Sequence, residues 1–258
     1  MLPFIYIDGY PFAMYSLMAL FGIVFVVVLA LIKRKAFDLR KRDILRLATY
    51  ATIGAILGAK LFSVIGQIFK HGTEPDFWTA ENWLYITSAG GVFYGGLIGG
   101  LGLATLRAKI ARIELESVFN IAAYAGLAFQ SFGRLGCYCA GCCYGIELAD
   151  GTHFPVQLFE AGFCFTALLV FLIVKPERRW PDIPLLPVYM ITYSAGRFIL
   201  EFLRGDASRG VWILSTSQWI ALVLITVALV WLKKSGFLHK PHKNRLSKAQ
   251  KETIDLPG

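Results

Sequence analysis

The chain has 258 residues, of which 56% are hydrophobic and 17% are charged. This composition excludes an ordinary soluble domain, in which about a quarter of the residues are charged. The formal net charge is +9, but the basic residues cluster in 33–46 and 233–251, beside apolar runs. Basic residues in such places set membrane topology and attract anionic lipid headgroups, so no nucleic-acid partner is expected.

Seven apolar segments are each long enough to cross a hydrocarbon core about 30 Å thick. In chain order they are 14–32, 44–66, 87–106, 117–135, 157–174, 185–203 and 211–232. The sequence therefore predicts an all-α integral membrane protein with seven transmembrane helices within residues 1–235. Residues 236–258 form a polar, basic tail that is predicted to be disordered.

The distribution of Lys and Arg between the loops predicts the orientation of the chain. The loops after the first, third and fifth segments, and the tail, are basic, whereas the alternate loops carry fewer positive charges. Basic loops remain on the cytoplasmic side of a membrane. We therefore expect the N-terminus outside and the C-terminus in the cytoplasm.

Glycines recur at four-residue spacing in the second and third segments. Gly54 and Gly58 lie in the second segment, and Gly95 and Gly99 lie in the third. This spacing lets helix backbones approach closely in lipid. Helix packing is the main interpretation, and contact with a lipid headgroup or chain is the alternative for Gly95, Gly96 and Gly99.

Polar side chains in five of the segments all fall in the predicted outer half of the membrane. Ionisable groups within spans are costly and indicate function. Arg197 and Glu201, four residues apart, can neutralise each other, but cations outnumber anions in the group. We therefore expect it to bind the phosphate of an outer-leaflet lipid. The group comprises Tyr15, Lys60, Tyr94, Arg134, Tyr193, Arg197, Glu201 and Arg204.

The stretch "GRLGCYCAGCCYG" at the outer end of the fourth segment is predicted to form a turn. Gly141 and Gly145 would permit positive φ there. Disulfides are possible outside the cytoplasm, soft metals bind thiolates, and free packing thiols are the third interpretation. The spacing does not match paired zinc ligands, so no metal is expected. The stretch contains Cys137, Cys139, Cys142 and Cys143.

The motifs, taken in order, resemble those of the bacterial phosphatidylglycerol–prolipoprotein diacylglyceryl transferases. The matching stretches are AMYSLM, GAKLF, FYGGLIGG, GRLGCYCAGCCYG, PVQLFEA, YSAGRFILEFLRGD and LSTSQW. The resemblance implies transfer of a diacylglyceryl group from phosphatidylglycerol to the lipobox cysteine thiol of a secreted prolipoprotein, without a cofactor. It also implies a bacterial inner-membrane enzyme, expected to be a monomer among membrane lipids, with its active site facing the outer leaflet.

The resemblance also implies roles for individual residues. It assigns catalysis to Arg134, Arg197, Tyr94 and Glu201. The four clustered cysteines are candidate reactive thiols. The substrate-binding residues would be Tyr15, Lys60, Gly95, Gly96, Gly99, Gly145, Tyr193 and Arg204.

Three positions depart from the family pattern. The family's histidine is Tyr94 here, its first asparagine is Cys137 and its glutamate is Cys142. A phenol with a pKa near 10 is a poor general base at neutral pH, so the base stays open, with His71 and His153 as alternatives. Two other functions also stay open. One is a related phospholipid-dependent transferase with another acceptor, of which one version acts through a covalent cysteine intermediate. The other is a non-catalytic lipid- or metal-binding membrane protein.

Overall fold

The computed structural model describes residues 3–7, 10–73, 75–79, 81, 83, 92–180, 182–205, 210–211 and 213–235. Within these ranges the chain forms seven helices of at least 16 residues. They are α1 (Met14–Lys33), α2 (Lys41–His71), α3 (Phe93–Ile110), α4 (Leu115–Ala140), α5 (Val156–Val174), α6 (Leu185–Leu200) and α7 (Thr216–Lys234). Each overlaps one of the seven predicted segments.

Four helical stretches in the described part of the chain are long and apolar enough to cross a membrane. They are Met14–Phe37, Lys41–His71, Val156–Arg179 and Thr216–Lys234. This finding agrees with a membrane protein, while the number of seven spans and the orientation stay predictions. The predicted disordered tail, 236–258, lies outside the described residues.

Short elements that the sequence did not predict lie before α1 and between the helices. Two antiparallel hairpins pair β1 (Phe4–Ile7) with β2 (Tyr10–Ala13) and β3 (Gly210–Val211) with β4 (Leu214–Ser215). The described residues also contain the 3-10 segments Arg34–Phe37, Pro75–Trp78 and Glu201–Leu203 and the one-turn helix Pro176–Arg179.

Several helix ends differ from the predicted segment boundaries: α2, α3 and α4 run four or five residues past the predicted ends, to His71, Ile110 and Ala140, and two further boundaries differ at α6 and α7. The seventh segment was expected from 211, but α7 begins at Thr216. The Ser215 hydroxyl accepts from the Gln218 N–H, and the Gln218 side chain accepts from the Ser215 N–H; this capping box fixes the start of the helix. The sixth was expected to run to 203, but α6 ends at Leu200 and its last turn tightens into the 3-10 segment Glu201–Leu203. The start of the third, 87–91, lies outside the described residues.

The chain divides into two compact units, Met1–Leu29 with Phe119–Gly258, and Ala30–Val118. In the second unit, α2 and α3 pack through their glycines. A β-carbon added at Gly54 would overlap the carbonyl oxygen of Gly99, and one added at Gly58 would overlap that of Gly95. The predicted packing role of this spacing is thereby confirmed. A small core of Leu47, Ala104, Ala108 and Val118 adjoins this contact.

In the first unit, α4 packs on α1. An added β-carbon at Gly22 of α1 would lie 3.0 Å from Cβ of Phe132, and one at Gly136 of α4 would lie 3.1 Å from the ring of Tyr15. Leu127 and Cys164 in this unit are fully buried. Its full burial marks Cys164 as a small packing residue.

Candidate functional site

The centre of the candidate site is the carboxylate of Glu160, in the first turns of α5. Its Oε1 lies 2.9 Å from Nε of Arg134 on α4, and its Oε2 lies 3.0 Å from Nη1 of Arg197 on α6. The Tyr193 hydroxyl also donates to Oε1, over 3.1 Å. One carboxylate thus holds three side chains from two other helices.

Arg197 is the more deeply enclosed of the two arginines. Its Nη2 lies 2.6 Å from Oε2 of Glu201 and donates to the Ser217 hydroxyl over 3.3 Å. The side chain of Arg197 is 8% accessible, whereas that of Arg134 is 20% accessible. Arg197 therefore pairs with the carboxylates of Glu160 and Glu201 in the buried part of the network, and Arg134 lies at its more accessible edge.

The cysteine stretch forms the turn that the sequence predicted, at the end of α4. Gly141 has a φ of 73°, as expected. The second positive φ belongs to Cys143, at 61°, and not to Gly145, so the expectation for Gly145 is wrong. A left-handed backbone conformation is uncommon for residues other than Gly, Asn and Asp, and at Cys143 it marks local strain.

Gly145 is needed for close approach of backbones. It pairs as an isolated bridge with Arg204, and its N–H donates to the carbonyl of Phe154 over 2.9 Å. An added β-carbon would lie 2.6 Å from both the Leu203 and the Phe154 carbonyl oxygens. This contact joins the cysteine turn to the segment after α6. Arg204 was expected on the sixth span, but its backbone is extended, because the helix has ended before it.

The bridge brings Arg204 to the cysteine turn. Cys143 interacts by hydrogen bonds with the Cys137 thiol and with the Arg204 guanidinium, and these two groups hold the pKa of Cys143 well below its usual range, with Arg134 adding to the effect. Burial and the neighbouring Cys143 raise the pKa of Cys142. Cys143 is therefore the thiol of this turn that favours the thiolate form.

All five cysteines of the chain are free in the structure, including the four of the turn. The sulfur atoms of Cys137, Cys142 and Cys143 lie within 4.8 Å of one another. The Gln157 side chain donates to the Cys142 carbonyl over 2.7 Å and ties the turn to α5. These three thiols are the group in the described residues whose geometry suits a soft metal ion.

Cations still outnumber anions in the site, as expected, but by less than the sequence indicated. Glu160 was not among the residues assigned to this group from the sequence, and its carboxylate pairs with both Arg134 and Arg197. In the first unit, three arginines and two glutamates leave one formal positive charge, and Cys143 as a thiolate would offset it. An incoming phosphate would therefore replace or rearrange existing partners of these arginines.

The predicted site residues fall in both units. The first unit contains Arg134, Tyr193, Arg197, Glu201, Arg204, Gly145, Tyr15 and the four cysteines, whereas the second contains Lys60, Tyr94, Gly95, Gly96 and Gly99. Tyr15 packs on Gly136, close enough to Arg134 to interact with it electrostatically. The roles of Lys60 and Tyr94 in substrate binding and catalysis stay predictions.

Among the open alternatives for a base, His153 packs its ring against Tyr144, with ring centroids 4.3 Å apart. His71 is the last residue of α2, in the second unit.

The glycines Gly95 and Gly99 are in backbone contact with α2. That contact explains their presence through packing, and their contact with lipid stays a prediction.

Sequence reasoning missed Glu160, although the signal was present. Glu160 lies inside the predicted fifth segment, in "PVQLFEA", and a carboxylate within a span indicates function unless it is paired. Its side chain is 2% accessible. Ser217 and Gln157 carried no comparable signal, because neutral hydroxyl and amide groups are common in membrane helices.

Comparison with known proteins agrees with the motif resemblance. A family model described as "Prolipoprotein diacylglyceryl transferase" matches residues 3–233. The chain is 33% identical over 239 residues to phosphatidylglycerol–prolipoprotein diacylglyceryl transferase 2 of Clostridium perfringens, covering 85% of this chain and 89% of that protein. It is 31% identical over 230 residues to the phosphatidylglycerol–prolipoprotein diacylglyceryl transferase of Clostridium tetani, covering 83% and 90%.

Proposed function

The chain belongs to the prolipoprotein diacylglyceryl transferase family, and we propose that it transfers the diacylglyceryl group of phosphatidylglycerol to the lipobox cysteine of a secreted prolipoprotein. One observation carries the proposal: Glu160 pairs with Arg134 and holds it beside the cysteine turn and Arg204. This arrangement supplies cations for a phosphate group at the end of a helix, next to the turn.

The reaction is a displacement at carbon. The prolipoprotein thiol releases its proton to water, and its sulfur attacks the glycerol carbon that carries the phosphate ester. The carbon–sulfur bond forms as the carbon–oxygen bond breaks, and glycerol phosphate leaves with the electron pair of that bond. The leaving group is anionic, so preorganised cations beside its oxygens stabilise the transition state.

Arg134 is the residue that we propose contacts the departing phosphate. It pairs with Glu160 through Nε, and 20% of its side chain stays accessible. A guanidinium held along one edge presents its remaining N–H groups in a fixed direction, which suits bidentate contact with phosphate. Arg204, next to Cys143, is the second cation of the phosphate site.

Arg197 and Glu201 have a different role in this proposal. The two form a buried ion pair, and Arg197 also holds the second oxygen of Glu160. Arg197 is therefore a positioning residue, which acts on the phosphate through Glu160 and Arg134. Tyr193, which donates to the same carboxylate, is a positioning residue too.

The proposal places the enzyme in a bacterial inner membrane, with seven spans and the site open to the outer leaflet. The basic loops and the four apolar helices support this location. In that leaflet the enzyme would meet both phosphatidylglycerol and the signal peptide of an exported prolipoprotein.

The test combines cells and purified protein. The chain is expressed in bacteria depleted of their own diacylglyceryl transferase, and the purified protein is incubated with phosphatidylglycerol vesicles and a peptide carrying a lipobox cysteine. We expect restored growth, a peptide heavier by one diacylglyceryl group, and released glycerol phosphate. Inserted, folded protein that gives none of these would refute the proposal.

Mass spectrometry of the enzyme during turnover separates direct transfer from the covalent alternative. Direct transfer leaves the enzyme unmodified. A diacylglyceryl adduct on a cysteine of the turn, formed and consumed at the rate of turnover, would overturn direct displacement. In the adduct the cysteine thiolate would have to leave from an alkyl carbon, and a thiolate departs from carbon far less readily than glycerol phosphate does. We therefore expect no such adduct.

A further inference from the structure

The three thiols of the cysteine turn converge on one point. Cys137 lies in the last turn of α4, the Cys142 N–H donates to the Cys137 carbonyl over 3.1 Å, and Gly141 between them has a positive φ. The left-handed backbone of Cys143 then directs its side chain to the same region. The result is three sulfur atoms within 4.8 Å of one another.

These separations are close to those of a metal–thiolate site. Thiolates that each lie about 2.3 Å from one metal ion are separated from one another by roughly 4 Å. A shift of a few tenths of an ångström in each side chain would complete the geometry. Cys139, in the same stretch, is not a member of the group.

We propose that Cys137, Cys142 and Cys143 bind one Cu(I) ion through three sulfur atoms. Soft thiolate ligands favour Cu(I), whereas zinc sites in proteins are almost always four-coordinate. In the described part of the chain the group supplies three ligands and no fourth. This inference departs from the sequence expectation of no metal, which rested on ligand spacing along the chain and not on the positions of the sulfur atoms.

The surroundings of the turn suit the charge of such a complex. Three thiolates and one Cu(I) ion carry a formal charge of −2. Arg204 hydrogen-bonds to Cys143, and Arg134 is near enough to act on it electrostatically. The Arg204 guanidinium therefore lies where it can offset part of this charge, and Arg134, which is also paired with Glu160, adds to the effect. Each thiol that enters as S–H releases its proton to solvent as its sulfur–copper bond forms, and no change of oxidation state is needed.

The proposal concerns binding and is independent of the transferase activity. The test uses the full-length protein, purified in detergent with its thiols reduced and titrated anaerobically with Cu(I) held by a chromophoric chelator. We expect one Cu(I) per chain and an X-ray absorption spectrum with three sulfur neighbours at roughly 2.3 Å, as for metal–thiolate bonds. Zinc that binds more tightly than Cu(I), or a disulfide that forms in place of copper binding, would overturn the proposal.

Variants identify the ligands. Cys137→Ser, Cys142→Ser and Cys143→Ser should each weaken Cu(I) binding by more than about 100-fold, because even outer-shell changes cost up to roughly that factor. Cys139→Ser is the matched control from the same stretch and should bind like the original protein. Equal losses in all four variants would show non-specific thiol chemistry and refute the site.

A footprint on the unaltered protein covers the case in which a variant fails to fold. Bound Cu(I) should protect Cys137, Cys142 and Cys143 from a maleimide reagent, while Cys139 reacts as it does without metal. The modified positions are read by mass spectrometry of peptides. Protection that includes Cys139, or that omits one of the three proposed ligands, would contradict the assignment.

Discussion

The carboxylate of Glu160 lies 2.9 Å from Nε of Arg134, and it is almost completely buried. The same carboxylate pairs with Arg197, which in turn pairs with Glu201. The orientation of Arg134, the more accessible of the two arginines, therefore depends on the buried pair of Arg197 and Glu201. A change at Glu160 should affect both the stability of the first unit and the position of Arg134.

Replacing Glu160 by Gln should lower both stability and activity. Removing one partner of a buried ion pair costs about 3–5 kcal/mol, because the remaining charge stays buried without compensation. We expect a lower unfolding temperature in detergent. We also expect kcat/KM for phosphatidylglycerol to fall by roughly 100-fold, which corresponds to about 2.7 kcal/mol of transition-state stabilisation.

Glu177→Gln is the matched control for this change. Glu177 also accepts a hydrogen bond from a tyrosine of the first unit, Tyr124, but it lies in the one-turn helix after α5, whereas Glu160 lies in the first turns of α5. It should retain its kcat/KM. If Glu160→Gln unfolds normally and keeps full activity, the role of Glu160 as a positioning residue is wrong.

Substitution by Lys should separate the roles of Arg134 and Arg197. Lys keeps the charge but cannot make the planar, bidentate contact of a guanidinium. Arg134→Lys should reduce kcat by roughly 10- to 100-fold with little change in unfolding temperature, since one mispositioned transition-state donor costs a few kcal/mol. Arg197→Lys should lower the unfolding temperature more, because two carboxylates lose part of their pairing.

The measurements are kcat, KM and thermal unfolding for both variants, with Arg178→Lys as the control. Arg178 is exposed on the one-turn helix Pro176–Arg179. A larger loss of stability in Arg134→Lys than in Arg197→Lys would reverse the assignment of the two roles.

Much of the fold followed from the sequence, because apolar length and glycine spacing are local signals. Each of the seven long helices in the described residues overlaps a predicted segment, and Gly54 and Gly99 lie in the predicted backbone contact. The hairpin before α7 was missed, because Val211 and Leu214 continue the apolar run. Hydropathy does not show that Ser215 caps the helix.

The site was predictable as a set of residues but not as a network. Arg134, Arg197 and Glu201 each stood out as an ionisable residue in an apolar segment. Their pairing through Glu160 depends on how α4, α5 and α6 pack, which no local pattern specifies. The convergence of three cysteines depends on the left-handed backbone of Cys143, which is unusual for that residue type.

The contact between α2 and α3 predicts a contrast between two glycines of α3. Gly99→Ala would drive a β-carbon into the backbone of Gly54, so the helices must separate, whereas a β-carbon at Gly102 meets nothing within 4 Å. Overpacking of this kind costs about 1–3 kcal/mol, and Ala in place of an open helix glycine gains up to roughly 1 kcal/mol. Thermal unfolding should fall for Gly99→Ala and stay level or rise for Gly102→Ala. Equal values would refute the packing role of Gly99.

The pKa of Cys143 predicts a pH dependence for alkylation of the metal-free protein. The Cys137 thiol and the Arg204 guanidinium lower this pKa, whereas an ordinary thiol has a pKa of about 8.5. The thiolate is the reactive form, so the rate of modification of Cys143 by iodoacetamide should stay nearly constant as pH falls from about 8 to 6, a range in which an ordinary thiol slows roughly tenfold per unit.

The lowered pKa of Cys143 also determines how this thiolate contributes to the free energy of unfolding as the pH changes. Because the folded-state pKa is below the unfolded-state value, the contribution of this thiolate to folding is fully present above the unfolded pKa and is lost as pH falls through the folded pKa. Cys142, whose pKa is raised, is the internal comparison for the alkylation experiment. Its rate of modification by iodoacetamide should fall steeply over the same pH range. Arg204→Gln removes one donor to the thiolate and should make the rate of Cys143 fall with pH. If Cys143 and Cys142 slow in parallel in the original protein, the thiolate at Cys143 is refuted, and Arg204 has no part in stabilising it.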